Sequence, residues 1–254
     1  MVRGREDERG QDEEEMEKKV YRKKVEGVYT TPHHQYPTTV SLSMDRRLKL
    51  LQLSKIHGFA VLEDDYDHEF HYESRPIPPL ASLPNSENVV HIGSLSKVFV
   101  PGLRLGYVVA SSVFINRIAE EITLIDRQGS TVTELAVADL MQSGDVKKHI
   151  RKVRKIYQVR RDHAASELQR IFSDKVSFCL PPGGLALWID ISQLLVAAGG
   201  NNSEHLLSHL PVLSGSKLFT SAESIFPTHV RFGFGALTES EITLALEQFA
   251  EQLM

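Results

Sequence analysis

The sequence predicts an α/β fold: a largely parallel sheet sandwiched by helices, with a smaller α+β domain at the C-terminal end. Three features predict it. Short, mostly apolar strand-like runs recur at 59–63 (FAVLE), 89–93 (VVHIG) and 105–110 (LGYVVA), as strands covered on both faces do. Helical periodicity separates or follows these runs. After Pro181-Pro182-Gly183-Gly184 a second strand and helix pattern begins.

Taken in order, residues 1–24 are a charge run (REDERGQDEEEMEKK at its heart) with scant apolar content before Val20, a solvated helix or a disordered tail. Residues 26–31 (EGVYTT) read as a short strand stopped by Pro32, and 33–39, with Pro37 and no periodicity, as a loop. Met44–His57 carries an apolar stripe of Leu48 and Leu51 with Leu50, Leu53 and Ile56 nearby, and Gly58 stands where helices commonly end. Helices dominate 112–172. The longest starts near Gly144 and lines up Val146, Ile150, Val153, Tyr157, Ala164, Leu168 and Ile171 on one face, with Lys and Arg on the other. Residues 185–189 give another strand and His229–Gly233 the last. Thr238-Glu239-Ser240-Glu241 is a capping box opening a helix that buries Ile242, Leu246, Phe249 and Leu253. The break at 172–184 sets the expected domains at 1–24, 25–172 and 173–254.

The chain's 254 residues suffice for one large domain or two modest ones with a proper core. A formal net charge of −4 lacks the basic excess of a nucleic-acid binder. No run approaches the roughly 18 apolar residues of a membrane span, and the charged N-terminus has no signal-peptide core, so a cytoplasmic setting is expected. The single cysteine, Cys179, excludes an internal disulfide; within the apolar run 176–180 it reads as a small buried thiol.

Two segments carry the chemistry, each just past the C-terminal end of an expected strand, where open α/β sheets bind ligands. The first is Glu63-Asp64-Asp65-Tyr66-Asp67-His68-Glu69-Phe70; the second is Gly93-Ser94-Leu95-Ser96-Lys97, followed by PGLRLGY at 101–107. Pyridoxal 5′-phosphate needs a lysine to form its Schiff base, a carboxylate for its pyridine nitrogen, a hydroxyl for its phenolic oxygen and donors for its phosphate. Lys97 can supply the amine, Asp64 the carboxylate, Tyr66 the phenol, and Ser94, Ser96 and Arg104 the phosphate donors. The planar guanidinium fork suits a phosphate.

With TPHHQYPTTVSLSMDRRLKLL at 31–51, EDDYDHEFHY at 63–72 and GSLSKVFVPGLRLGY at 93–107, the chain resembles the aminotransferase-like domain of MocR-type regulators. Members join a GntR-type winged helix-turn-helix to a pyridoxal-phosphate domain of fold type I. The likeness runs from about Asp7 to the C-terminus and implies the same fold here, in part. It implies Lys97 as the Schiff-base lysine, forming an aldimine with an amino acid, Asp64 as the ring-nitrogen partner and Tyr66 as the donor to the ring oxygen. Arg231, within VRFGF at 230–234, resembles the family's carboxylate-binding arginine. A homodimer taking an amino acid or amine is implied. DNA would be reached only through an N-terminal domain not in this sequence; the first part of the pyridoxal-phosphate domain, with its phosphate-binding helix start, is expected to be missing too. The resemblance leaves two functions open, a transaminase and the ligand-sensing domain of a transcriptional regulator; an inactive fragment is the third possibility.

Other patterns weigh less. Ser94-Leu95-Ser96-Lys97 fits the S-x-x-K of serine acyl enzymes, but their S-D-N and K-T-G companions do not occur. The acids and histidines of 63–71 lack H-E-x-x-H spacing, so no metal is expected. His33 and His34 read as loop structure, Trp188 as core, and the basic face of 147–161 as solvated.

Overall fold

The computed structural model describes residues 6–7, 10–11, 18, 24–73, 77–99, 101–197, 213–214 and 228–253. They fall into two compact units: Met1–Gln35, Val40–Glu69 and Arg75–Val153 form one; Tyr36–Thr39, Phe70–Ser74 and Arg154–Met254 form the other. Of the charge run 1–24, β1 (Glu6–Asp7) pairs antiparallel with β2 (Gly10–Gln11), and most of the remainder lies outside the described residues.

In the first unit β3 (Gly27–Thr30), β4 (Ala60–Asp65) and β5 (Val89–Ser94) run parallel, and β6 (Gly106–Val109) lies antiparallel beside β5. The helix α1 (Met44–His57) is the crossover from β3 to β4. It ends as its glycine predicts: Gly58 takes φ 72° and its N–H closes on the Ser54 carbonyl at 2.8 Å. The face it buries differs from the expected stripe. Leu50, Leu51, Leu53 and Ser54 point inward, whereas Leu48 and Ile56 are 43% and 65% exposed. Leu50, Leu51 and Leu53 pack with Val28, Leu42, Phe59, Val61, Leu80 and Val89 into one core. Each such leucine contributes about 1.5–3 kcal/mol over an exposed one.

Strand β4 alternates strictly, with Val61, Glu63 and Asp65 buried and Ala60, Leu62 and Asp64 on the more open face. The pair β5–β6 depends on two glycines. A β-carbon at Gly93 would lie 2.1 Å from Tyr107 Cζ, and one at Gly106 would lie 2.8 Å from the Gly93 carbonyl oxygen. Beyond β6 come α2 (Ser112–Ile125), with no buried residue, and α3 (Thr131–Gln142), which buries only Val137.

The long helix α4 (Asp145–Phe172) belongs to both units. The sequence suggests a change of domain at 172–173; the packing changes hands within α4, at Val153 and Arg154, without interrupting the helix. The second unit is antiparallel, in the order β7 (Ser177–Phe178), β8 (Ala186–Asp190), β10 (His229–Gly233), β9 (Leu213–Ser214), with α5 (Ser192–Ala197) and α6 (Glu239–Leu253). Its core unites Ala164, Leu168 and Phe172 of α4, Leu187 and Ile189 of β8, and Ile242 and Leu246 of α6, with Phe249 packed alongside. The Leu253 side chain lies outside the described residues. The capping box forms: Thr238 N–H donates to Glu241 Oε2 at 2.7 Å, and Glu241 N–H to Thr238 Oγ1 at 3.3 Å. Cys179 corrects an expectation. It is exposed, because it follows the two-residue strand β7 and leaves the sheet instead of entering it.

Among the described residues no helix is long and apolar enough to cross a membrane.

Candidate functional site

In parallel strands every carboxyl end points to the same edge of the sheet, and the pairing of β4 with β5 sets Asp64 beside Ile92 and Asp65 beside Gly93. Asp64, next to last in β4, therefore lies at the edge where Ser94 closes β5 and the turn bearing Ser96 and Lys97 begins. Arg104 returns to that edge. Leu95 N–H donates to the Leu105 carbonyl at 3.0 Å and Ser94 pairs with Gly106, so the chain around Arg104 lies next to the serines. Arg104 holds φ 49°, a left-handed turn uncommon for a residue with a side chain and common near functional edges.

Asp64 is partly buried, and its Oδ2 accepts the Tyr29 hydroxyl at 2.5 Å. Tyr66 is partly buried and its hydroxyl donates to the His34 carbonyl at 3.3 Å. Ser94 Oγ accepts the Ser96 N–H at 3.3 Å. Lys97 and Arg104 are exposed and, among the described residues, take part in no hydrogen bond or ion pair. Six of the seven candidate side chains thus gather in the first unit. Arg231 lies on β10 in the second, opposite Trp188 of β8, with its guanidinium 5.0 Å from the centre of the Tyr36 ring. Among the described residues its buried Nε has no hydrogen-bond partner, a cost of about 1–3 kcal/mol that an acceptor relieves.

Beneath this edge is a buried polar layer that sequence reasoning did not find. Glu63 accepts N–H bonds from Leu80 at 2.6 Å and Ala81 at 3.1 Å and meets His91 Nδ1 at 2.9 Å. Asp65 Oδ1 lies 2.9 Å from His33 Nδ1, and its Oδ2 3.4 Å from His68 Nδ1. Asp67 meets His34 Nδ1 at 2.9 Å. Burial alone would raise the Asp65 pKa, but the His33 contact and the charges of His33, His68 and His91 outweigh it and hold the carboxyl below its ordinary range. Burial opposes protonation of His91, yet Glu63, Asp65 and Glu69 win and raise its pKa. Burial, helped by the charges of Asp65 and Asp67, pushes Glu69 up despite the opposing His68. Arg47, fully buried, donates to the carbonyls of Leu42 (2.8 Å), Pro78 (3.0 Å) and Pro32 (2.6 Å), and burial pulls its pKa down to about 10. His33 and His34, read from the sequence as loop residues, are thus structural anchors. Spacing gave no signal, because their partners lie more than thirty positions away. The parallel register of β3 with β4 was the one clue to Tyr29, and it is visible only once the strands are paired. Among the described residues no three His, Cys, Asp or Glu side chains are grouped to hold a metal.

A family model for aminotransferases of class I and II matches residues 3–249. The chain belongs to that family. The uncharacterized HTH-type transcriptional regulator YhdI of Bacillus subtilis is 28% identical over 233 residues, covering 90% of this chain and 48% of YhdI. Aromatic-amino-acid aminotransferase 1 of Thermococcus litoralis is 30% identical over 171 residues, 67% of this chain and 41% of the enzyme. The chain spans from 31% to 48% of the length of the curated relatives it matches. Among solved structures, the kynurenine aminotransferase of Pyrococcus horikoshii, in complex with PMP, superposes with a TM-score of 0.84 at 26% identity, over 99% of this chain and 63% of that one. The fold is therefore type I of the pyridoxal-phosphate transferases, present in part. Regulators and aminotransferases both appear among the relatives, as the MocR-type motifs imply.

Pyridoxal 5′-phosphate is the cofactor of this family, and the residues present fit it. Two cations that take no protein partner among the described residues, Lys97 and Arg104, lie on the segments that bring two hydroxyls and a carboxylate to one sheet edge. That donor set matches an aldehyde, a phosphate and a pyridine nitrogen together.

Proposed function

We propose that this chain is the pyridoxal-phosphate-binding part of an aminotransferase-type protein, with Lys97 as the residue that holds the cofactor. Lys97 and Arg104, which pair with no acid among the described residues, carry the reading at the carboxyl edge of β4 and β5. Both are exposed at the edge where parallel strands of α/β sheets bind ligands, and their donors suit an anionic ligand.

Ser94, Ser96 and Arg104 hold the phosphate, the arginine by its fork. Asp64, through its carboxylate, keeps a proton on the ring nitrogen. Tyr66 donates its hydroxyl to the ring's phenolic oxygen. Bound there, pyridoxal phosphate supplies an aldehyde that captures an amino group and a ring that withdraws electrons from the substrate Cα. Lys97 Nζ moves the proton at that carbon as acid and base. Arg231 takes the α-carboxylate of an amino acid. The working protein is a cytoplasmic homodimer, and any contact with DNA runs through a domain outside this sequence.

A second reading is a ligand-sensing domain in which amino-acid binding changes conformation without product. The HTH-type transcriptional regulator YhdI among the relatives supports it.

Adding pyridoxal phosphate to the purified chain is expected to give an absorbance band above 400 nm. Borohydride should fix a pyridoxyl group at position 97, read by peptide mapping, and Lys97→Ala should abolish both. A colourless wild type with no adduct at 97 overturns the proposal. Keto-acid formation from a panel of amino acids supports the transaminase; a spectral change without product supports the sensor.

A further inference from the structure

We infer that Tyr29 is a positioning residue that fixes the orientation of the Asp64 carboxylate, so that one oxygen alone is offered to the cofactor ring nitrogen. The inference rests on the reading of Asp64 as the ring-nitrogen partner, and it adds a residue that the sequence motifs do not contain.

The geometry comes from strand pairing. Tyr29 on β3 is in register with Leu62 on the parallel strand β4. Side chains alternate along a strand, so Leu62 and Asp64 share a face, and Asp64 lies two residues, about 6.6 Å, farther along. A tyrosine leaning along its strand spans that distance, and its hydroxyl reaches Asp64 Oδ2 at 2.5 Å. A bond of that length to a carboxylate is charge-assisted and stronger than a neutral one. The terminal torsion of an aspartate is otherwise broad and two-fold, so the carboxylate of a lone Asp64 would turn freely. With Oδ2 held, Oδ1 is the remaining acceptor, and among the described residues it takes no hydrogen bond.

The neighbouring acids are committed differently. Glu63 spends its oxygens on two backbone N–H groups and His91, while Asp65 and Asp67 face His33 and His34. All three are buried, whereas Asp64 stands on the more open face. Asp64 is thus the acid of this segment that stands on the open face, held there by a tyrosine hydroxyl, with Oδ1 unbonded among the described residues. Tyr29 is 37% exposed, so its ring contributes little to the core, and removing its hydroxyl should leave the fold intact.

The test uses the full chain and pyridoxal phosphate labelled with 15N at the ring nitrogen. The nitrogen shift reports directly whether that atom is protonated. In the wild type the nitrogen should stay protonated through neutral pH. In Tyr29→Phe the titration midpoint should fall by about one unit and cofactor retention by about tenfold, the scale of one hydrogen bond to a charged group, with an unchanged thermal melt. Tyr29→Gln, which returns a donor without the ring, should recover part of both losses and stands in if the Phe variant fails to fold. An unchanged nitrogen titration in a folded Tyr29→Phe overturns the inference, as does a Gln variant that behaves like Phe. Asp64→Asn separates the two levels. If it too leaves the nitrogen unmoved, or if the wild type takes up no cofactor, the reading of the site fails and this inference falls with it; if it shifts the nitrogen while Tyr29→Phe does not, Tyr29 alone is misassigned.

Discussion

Glu63, Asp64, Asp65 and Asp67 are near neighbours in sequence, yet the direction in which the strand points each one gives it a different chemistry. Glu63 and Asp65 turn into the buried layer with His33, His68 and His91, where low dielectric strengthens every contact and makes an unpaired charge costly. This layer makes stability depend on pH in two directions. The His91 pKa is raised on folding, so its contribution is fully present below its ordinary value of 6.5 and is lost as pH climbs through the raised one. The Asp65 pKa is lowered, so its contribution is present above its ordinary 3.8 and is lost as pH drops through the depressed one. Urea denaturation should therefore show greatest stability from these two groups between roughly pH 4 and 6.5. His91→Gln should cost most at pH 6 and least at pH 9; a cost independent of pH would contradict this origin. The sequence motif supplied Asp64 and Tyr66 by resemblance, but which acid faces outward is settled by the alternation of β4, and no spacing rule reveals the distant histidines.

Local signals were most legible in the helices. The bounds of α1 and the capping box of α6 follow from Gly58 and from Thr238 with Glu241, because caps are chemistry among residues within one turn. Thr238→Ala should lower stability by about 1 kcal/mol in a denaturant melt, and Glu241→Ala should remove much of the same energy, so that the double variant costs less than the sum. Additive losses would mean that the box contributes nothing as a unit. The burial face of α1 was harder to read. Leucines surround much of that helix, and the sheet beneath it selects Leu50, Leu51 and Leu53 over Leu48. Likewise the α4 pattern predicts one long helix correctly, but not that two units share it, since periodicity records an apolar face and not what covers it.

At the scale of the molecule, the first unit leaves apolar surface open: Val113 and Leu124 on α2 are 80% and 79% exposed, and Val132 on α3 is 82% exposed. Exposed apolar groups of this kind bind hydrophobic dyes and promote association. Val113→Lys with Leu124→Lys should change stability by less than about 0.5 kcal/mol per site, since neither side chain is packed, while lowering dye fluorescence. A large loss of stability would show that these residues are packed in solution. The sequence by itself determined the fold class, the order of the longer strands and helices, the family and the candidate lysine, because these depend on periodicity, caps and short contiguous motifs; the short β1, β2, β7, β9 and α5 were not legible in it. Only the tertiary structure decided that Tyr29 meets Asp64, that four histidines lie among the acids below the edge, that Cys179 faces solvent and that, among the described residues, nothing buries a side chain of α2. Those outcomes are contacts between residues far apart in the chain, or the lack of them, and they exist only once strand register has fixed which side chains share a face.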